Sequence, residues 1–291
     1  MEFKAPAKVN LYLKVLAKRP DGYHDIETVF EKISLFDIVS VEATSKKTVI
    51  TSNDPNIPVD NSSIMMRAAS LFRDRAGNGK NFKVHLEKNI PVSAGLGGGS
   101  SDTATLLKAM NELSGSPLDT NTLNEMGGSL GADIPFFLHN HSFAYGTGKG
   151  DIISGMESMV KIWHVLINPP ISVSTKEVYS LVNPLGLTNH NGVGRMFGDF
   201  LSGRDTWDIA KNLHNDLQHI TLGIFPVLGE TLRELMTQGA QGAIMSGSGP
   251  TVFGIFEEKE AFSAKERLRE KFPDRNWKIE VVTTYQPEIK E

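Results

Sequence analysis

The 291-residue chain contains no cysteine, which excludes disulfides and thiolate metal sites and suits a reducing compartment. It also lacks any excess of positive charge: 30 Lys and Arg stand against 34 Asp and Glu, a formal net charge of −4. With no basic surplus to displace counterions, a nucleic-acid partner is not expected. No apolar run is long enough to span a bilayer. Met1-Glu-Phe-Lys leads straight into a strand pattern without an apolar leader segment. The expectation is a cytoplasmic protein with no membrane partner, its oligomeric state open between monomer and weak dimer. The eight histidines show no metal-ligand spacing; the nearest, His139-Asn-His141, reads as a polar surface loop. There is no internal repeat and no low-complexity tract. What remains is ordinary globular usage, 40% hydrophobic and 22% charged, in a chain long enough for one large domain or two modest ones.

What the chain does have is glycine in one telling place. Pro91-Val-Ser-Ala-Gly-Leu-Gly-Gly-Gly-Ser-Ser-Asp-Thr-Ala104 holds Gly95, Gly97, Gly98 and Gly99 together with Ser93, Ser100 and Ser101. Before it, Phe82 to Glu87 alternates apolar and polar, the period of a half-buried strand. After it, Ala104, Leu107 and Met110 recur at helical spacing. Ser101 and Asp102 stand where an N-cap and a first-turn acid belong. Strand, glycine loop, helix start is an anion-binding arrangement: free backbone N–H groups and the positive end of the helix dipole face the ligand. It is not a Walker loop, because no Gly-Lys-Ser/Thr closes it. Nor is it the dinucleotide fingerprint, because Ser100 replaces the third glycine and no short βαβ unit begins the chain.

Elsewhere, Val9, Leu11, Leu13 and Val15 alternate with Lys8, Asn10, Tyr12 and Lys14, a strand with one apolar and one polar face. Arg19-Pro-Asp-Gly-Tyr-His24 is a turn by its chemistry. Ile33–Ala43 and Thr48–Ser52 read as strands, and Ser63 opens a helix. Asp119 caps a helix ending near Gly127-Gly128. In Gly131-Ala-Asp-Ile-Pro-Phe-Phe137, Pro135 suits a first helical turn and Asp133 a capping carboxylate beside an apolar run. Gly146-Thr-Gly-Lys-Gly150 is a second glycine turn. A composition shift near 156–161 precedes the strand Ile162–Ile167 and puts a domain boundary there, giving 1–158 and 159–291. Ser174 starts a helix carrying Tyr179. Asn189–Arg204 is Gly-rich and reads as a loop. Helices over Trp207–Leu217 and Phe225–Thr237, a strand, the turn Ser246-Gly-Ser-Gly-Pro250, a strand, a helix and a strand complete the chain.

Three stretches together resemble one family. Pro91–Ala104, with Ala5-Pro-Ala-Lys-Val-Asn-Leu-Tyr-Leu13 and Ala243-Ile-Met-Ser-Gly-Ser-Gly-Pro-Thr-Val-Phe-Gly254, is similar to the motifs of the small-molecule kinases of galactose, homoserine, mevalonate and phosphomevalonate. Asp21-Gly-Tyr-His24 and Gly131–Phe137 resemble the branch acting on a cytidine-diphosphate-linked methylerythritol. The resemblance implies an α+β two-domain fold: a ribosomal-protein-S5-like α/β N-terminal domain, a ferredoxin-like α+β C-terminal domain and an active site in the cleft between them. It implies an ATP-dependent kinase, with Mg²⁺, that phosphorylates the substrate's 2-hydroxyl in non-mevalonate isoprenoid synthesis. Asp133 would be the base and Lys8 its charge partner. Pro91, Ser93, Ala94, Gly95, Leu96, Gly97, Gly98, Gly99, Ser100 and Ser101 would hold the phosphates, with Ser63 and Lys88 beside the adenine. Asn10, Tyr23, His24, Gly146, Gly148, Tyr179, Gly247 and Ser248 would face the cytidyl substrate. No carboxylate cluster identifies Mg²⁺ ligands. Two other readings stay open: a mevalonate or homoserine kinase, and a catalytically silent nucleotide-binding sensor.

Overall fold

The computed structural model describes residues 1–77, 79–182, 192–201, 206–273 and 275–287. Two long strands, β1 (Glu2–Lys18) and β2 (His24–Thr44), form an antiparallel hairpin. Gly22 in its turn takes φ +88°, the left-handed region that glycine enters without strain. β3 (Val49–Ser52), β4 (Asn81–Glu87), β5 (Phe143–Thr147) and β6 (Ile152–Met156) extend this sheet along β2. β7 (Trp163–Asn168) then starts a second sheet, and β8 (His214–Asn215) returns to the first, pairing parallel with Tyr12 and Leu13 of β1. Among the described residues the first sheet has seven strands. The second has four, in the antiparallel order β11-β7-β10-β9, built with β9 (Gly242–Met245), β10 (Val252–Phe256) and β11 (Lys278–Thr283).

Helices α1 (Ile64–Ala76), α2 (Gly98–Leu113), α3 (Thr120–Leu130) and α4 (Ile134–Leu138) cover the first sheet, with Phe72, Phe82, Leu106, Met110 and Phe136 in one buried cluster. Ser63 is the N-cap residue of α1, and Asp119 caps α3 by accepting from the Thr122 N–H at 2.8 Å. α5 (Thr175–Ser180) follows β7 and carries Tyr179, and α9 (Val227–Thr237) and α10 (Glu258–Lys271) pack on the second sheet through Leu228, Leu235, Ala261 and Leu268. A third cluster joins the two sheets: Val9, Leu11 and Ile33 lie with Leu166, Ile244 and Phe253. At this junction the His164 ring meets the Glu31 carboxylate at 2.9 Å, and Thr284 donates to Glu31 at 2.6 Å. Both His164 and Glu31 are fully buried, so the pair is desolvated and each needs the other. Among the described residues no helix is long and apolar enough to cross a membrane.

Four expectations need correction. α2 begins at Gly98, with Gly97 as its cap at φ +69°, so Ser101 is not the N-cap. The helix starts four residues earlier than a Ser101 cap implies, so the free first-turn N–H groups are those of the glycines and Ser100. The single polar face expected on β1 is broken by a bulge between Asn10 and Tyr12: Lys8 and Asn10 line a cleft, whereas Tyr12 turns to the other face and packs with Val9 and Leu11 in the inter-sheet cluster. Within the 189–204 loop, residues 192–201 form α6 (Gly192–Leu201), while 189–191 and 202–204 lie outside the described residues. Val193, Met196 and Phe200 repeat at helical spacing and pack into the inter-sheet cluster. That stripe outweighs the glycine content. Lastly, the helix expected over Trp207–Leu217 stops as α7 (Thr206–Lys211). The chain then turns into β8, where Asp216 accepts from the Val15 N–H at 2.8 Å. Between β8 and α9 lies α8 (Gln218–Ile224), which the sequence did not suggest.

Candidate active site

A cleft of about 1230 Å³ is bounded by the β1–β2 hairpin, the glycine loop, the starts of α1 and α4 and the turn after β9, more than the ~300–1,000 Å³ that a single small ligand needs. One wall is the glycine loop. Its carbonyls are turned into the protein: Gly95 O accepts from Lys8 Nζ and from Ser246 Oγ, each at 2.9 Å. Leu96 O accepts from the Lys8 N–H at 2.9 Å, and Ala94 O from the Thr251 N–H at 3.3 Å. With the carbonyls occupied, the N–H groups at the start of α2 have no intrahelical acceptor and face the cleft as an anion cradle. Gly95 (φ +75°) could not be another residue here, since a Cβ would lie 2.2 Å from the Ser246 carbonyl oxygen.

Lys8 Nζ also donates to Asn10 Oδ1 at 2.6 Å and stands 3.9 Å from Asp133 Oδ2. Burial lowers the pKa of the Lys8 ammonium, and the neighbouring Asp133 carboxylate pulls it back up. Asn10 is itself fixed by donating to Thr28 Oγ1 at 2.8 Å. Asp133 sits at the N-cap position of α4, yet its side chain makes no capping bond. The carboxylate is one-third exposed and points at the cleft rather than at its own helix. That geometry leaves it available to a ligand hydroxyl.

The far end of the cleft is aromatic. Tyr23 is 56% exposed, with Lys149 Nζ 5.2 Å from its ring centre. His24 is buried, and its ring stacks on Tyr179 at 5.5 Å and 30°. Burial, with Lys18 nearby, lowers the His24 pKa, so the ring is neutral at pH 7, and its Nδ1 has no partner. Burial raises the pKa of the Tyr179 phenol, and Asp133 adds to the effect. Ser248 Oγ and Thr175 Oγ1 are 2.8 Å apart across the turn that follows β9.

Most of the residues expected at the site therefore line one cleft. Three do not. Ser101 is buried one turn inside α2, and the Cβ positions of Gly146 and Gly148 are taken by Phe30 and Thr28 and by Asp151 and Ile152. Lys149, inside that same glycine turn, reaches the cleft in their place, as do Lys18, Thr175 and Lys176. The sequence carried a hint for Lys149 alone, through its flanking glycines.

Lys88 holds a position that no spacing could reveal. Its ammonium bridges Asp37 and Asp102, the latter at 2.9 Å, and all three are nearly fully buried. Asp37 also accepts from the Asn89 and Ile90 N–H groups at 2.6 and 2.8 Å. Two carboxylates share one cation, so a proton stays on the cluster: burial and Asp37 push the Asp102 pKa up to about 8. A carboxyl whose folded pKa exceeds its unfolded one stabilises the fold below the unfolded value. That contribution is lost as pH rises toward the folded value. Wild-type Tm is therefore expected to fall between pH 5 and about 9. Asp102→Asn, which mimics the protonated acid, is expected to flatten this slope. Parallel slopes in thermal melts across that range would refute the assignment.

Residues 63–141 match the family described as GHMP kinases N terminal domain, and residues 204–274 the one described as GHMP kinases C terminal. The chain is 39% identical to the 4-diphosphocytidyl-2-C-methyl-D-erythritol kinase of Syntrophotalea carbinolica, over 96% of this chain and 98% of that one. It is 43% identical to the kinase of the same name from Syntrophus aciditrophicus, over 89% and 91% of the two chains. A solved structure of a 4-(cytidine 5'-diphospho)-2C-methyl-D-erythritol kinase superposes with a TM-score of 0.80 at 33% identity, covering 97% of this chain and 99% of that one. The two-part α+β fold that the motifs implied is the fold of that family. By full-length identity and by architecture, the chain belongs to the 4-diphosphocytidyl-2-C-methyl-D-erythritol kinase family of GHMP kinases.

Proposed function

We propose that the cleft transfers the γ-phosphoryl group of ATP to the 2-hydroxyl of 4-diphosphocytidyl-2-C-methyl-D-erythritol, a step in non-mevalonate isoprenoid precursor synthesis. The observation that carries this is the meeting of Lys8, Asp133 and the glycine loop at one end of a cleft whose other end holds Tyr23, His24 and Tyr179. In this reading, the N–H groups of Gly95 to Ser100 hold the β- and γ-phosphates. The 2-hydroxyl oxygen bonds to the γ-phosphorus, the bond to the β,γ-bridging oxygen breaks, and ADP leaves. The hydroxyl proton passes to Asp133, and the Lys8 ammonium beside it offsets the charge that gathers at the transferring group. Phosphoryl transfer asks little covalent work of a protein, so positioning and charge carry most of the catalysis.

Mg²⁺ would be held chiefly by the phosphate oxygens, as it usually is, and would neutralise charge there. Near the loop the chain offers Asp102, one of whose oxygens has no partner; it would hold the cation as a carboxylate, with Mg²⁺ taking the place of the proton the cluster otherwise keeps. At the other end, Tyr23 supplies a stacking face for cytosine and the unpartnered His24 Nδ1 a contact for its edge. Lys88 and Ser63 flank the adenine, and Gly247 and Ser248 border the acceptor. The division into domains at 158/159 follows the same reading. So does a cytoplasmic monomer or weak dimer that needs neither nucleic acid nor membrane.

The test is coupled ADP release with the cytidyl substrate, mevalonate and homoserine side by side. Turnover is expected with the first alone; mevalonate or homoserine turnover without it would reassign the substrate, and nucleotide binding with no turnover would mark a sensor. Base–aromatic stacking is worth ~1–3 kcal/mol. Tyr23→Ala is therefore expected to raise KM for the cytidyl substrate roughly tenfold or more, with KM for ATP unmoved. An unchanged KM would remove Tyr23 from the substrate site.

A further inference from the structure

Lys32 is a buried lysine to which no step of the phosphoryl transfer gives a role. It faces Lys8 directly across the β1–β2 ladder, and directly opposed residues project from the same face of an antiparallel pair. Both ammonium groups reach the same short helix. Lys8 stands at Asp133, the residue before α4, and Lys32 donates to the carbonyl of His139, the residue after it. Between the two lysines lies an aromatic floor. Lys8 Nζ is 5.8 Å from the Phe30 ring centre and Lys32 Nζ 5.0 Å from that of Phe136, and the two rings stack at 4.8 Å.

α4 needs such support. It has five residues, far fewer than the ~12–15 at which a helix begins to hold itself. Its N-terminal side chain does not cap it, and its closing bond, from the His139 N–H to Pro135 O, is long at 3.4 Å. Lys32 itself is anchored through its backbone, with its N–H to Ser142 O and its carbonyl to the Tyr285 N–H, each at 2.8 Å. Burial, with Lys108 nearby, holds its ammonium well below the usual lysine range. The neutral amine also donates N–H, so the bond to His139 survives either protonation state.

We propose that Lys32 is a positioning residue for phosphoryl transfer: it clamps the C-terminal end of α4 and thereby fixes the Asp133 carboxylate at the other end. The proposal rests on Asp133 acting as the base. Misplacing a reacting group by about 1 Å costs on the order of 10²-fold, so Lys32→Met is expected to lower kcat by roughly 10- to 100-fold. KM for ATP should change by less than about threefold, because the glycine loop is held by Lys8, Ser246 and Thr251 and not by Lys32. Residues acting as one unit are non-additive. In the Asp133→Asn background, Lys32→Met should therefore cost less than about a further threefold. A parallel rise in KM for ATP, or the full cost persisting in that background, would overturn the proposal. If Asp133→Asn alone keeps wild-type kcat, the base assignment itself has failed and the proposal falls with it.

Because the chain has no cysteine, Lys32→Cys carries a unique thiol. Alkylated in urea with 2-bromoethylamine and returned to buffer, it regains a lysine-length amine; with 1-bromopropane it gains an apolar chain of the same length. Recovery of kcat to within about threefold of wild type is expected for the first adduct alone. Equal kcat for the two adducts would show that packing, not the clamp, is what Lys32 provides, and would also overturn the proposal.

Discussion

Asp133→Asn is expected to lower kcat by roughly 10²–10⁴-fold, the usual worth of a general base, with little change in KM for ATP. The substitution keeps the size and planarity of the side chain and removes its capacity to take a proton. Three features single this carboxylate out. It occupies an N-cap position without capping, it is one-third exposed toward the cleft, and Lys8 Nζ lies 3.9 Å away. A capping aspartate replaced by asparagine would lose only a few tenths of a kcal/mol, since Asn and Asp cap about equally well. The kinetic loss therefore separates the catalytic role from a structural one. It is read from coupled ADP release at saturating ATP with the cytidyl substrate. A kcat within about threefold of wild type would end Asp133's candidacy.

Gly95→Ala carries the second large effect, and it acts through the backbone. Gly95 has φ +75°, and an added Cβ would meet the Ser246 carbonyl oxygen at 2.2 Å and that of Gly249 at 3.1 Å. Backbone atoms cannot swing aside as a flexible side chain would, so the loop and the turn after β9 must part. The Gly95 carbonyl would then lose Lys8 and Ser246 as donors. Backbone strain of ~1–3 kcal/mol adds to overpacking of ~1–3 kcal/mol. For a chain of this length 1 kcal/mol corresponds to roughly 2–4 °C. A fall in Tm on the order of 5–15 °C is expected, together with a rise in KM for ATP. Gly99→Ala is the control, because nothing lies within 4 Å of its Cβ position. Equal melting curves for the two variants would refute the close approach.

Why some features were legible in the sequence and others not follows from the range of the interactions. The glycine loop and the helix after it are local: residue types alone require positive φ and a free helix start, and only the first helical residue was misplaced. The cap residues of α1 and α3 were local too. Lys88 between Asp37 and Asp102 was not, since its partners lie 51 and 14 residues away. The same holds for Lys8 and Lys32, which become neighbours only through strand register. α6 shows a different failure. Glycine content suggested a loop, but the buried stripe of Val193, Met196 and Phe200 decides the conformation. β8 escaped because two residues carry no period, and because what fixes them is a side chain reaching back to β1.

That small strand limits how the enzyme can move. β8 sits on the edge of the first sheet although its neighbours in sequence build the second, Asp216 fastens it to Val15, and Asn215 donates to the carbonyls of Met245 and Gly247. Together with the Glu31–His164 pair it joins the two sheets at two separate seams, and both would have to break before the sheets could part like a clamshell. Closing over nucleotide and acceptor is therefore expected from single loops and side chains such as the exposed Tyr23 rather than from a hinge.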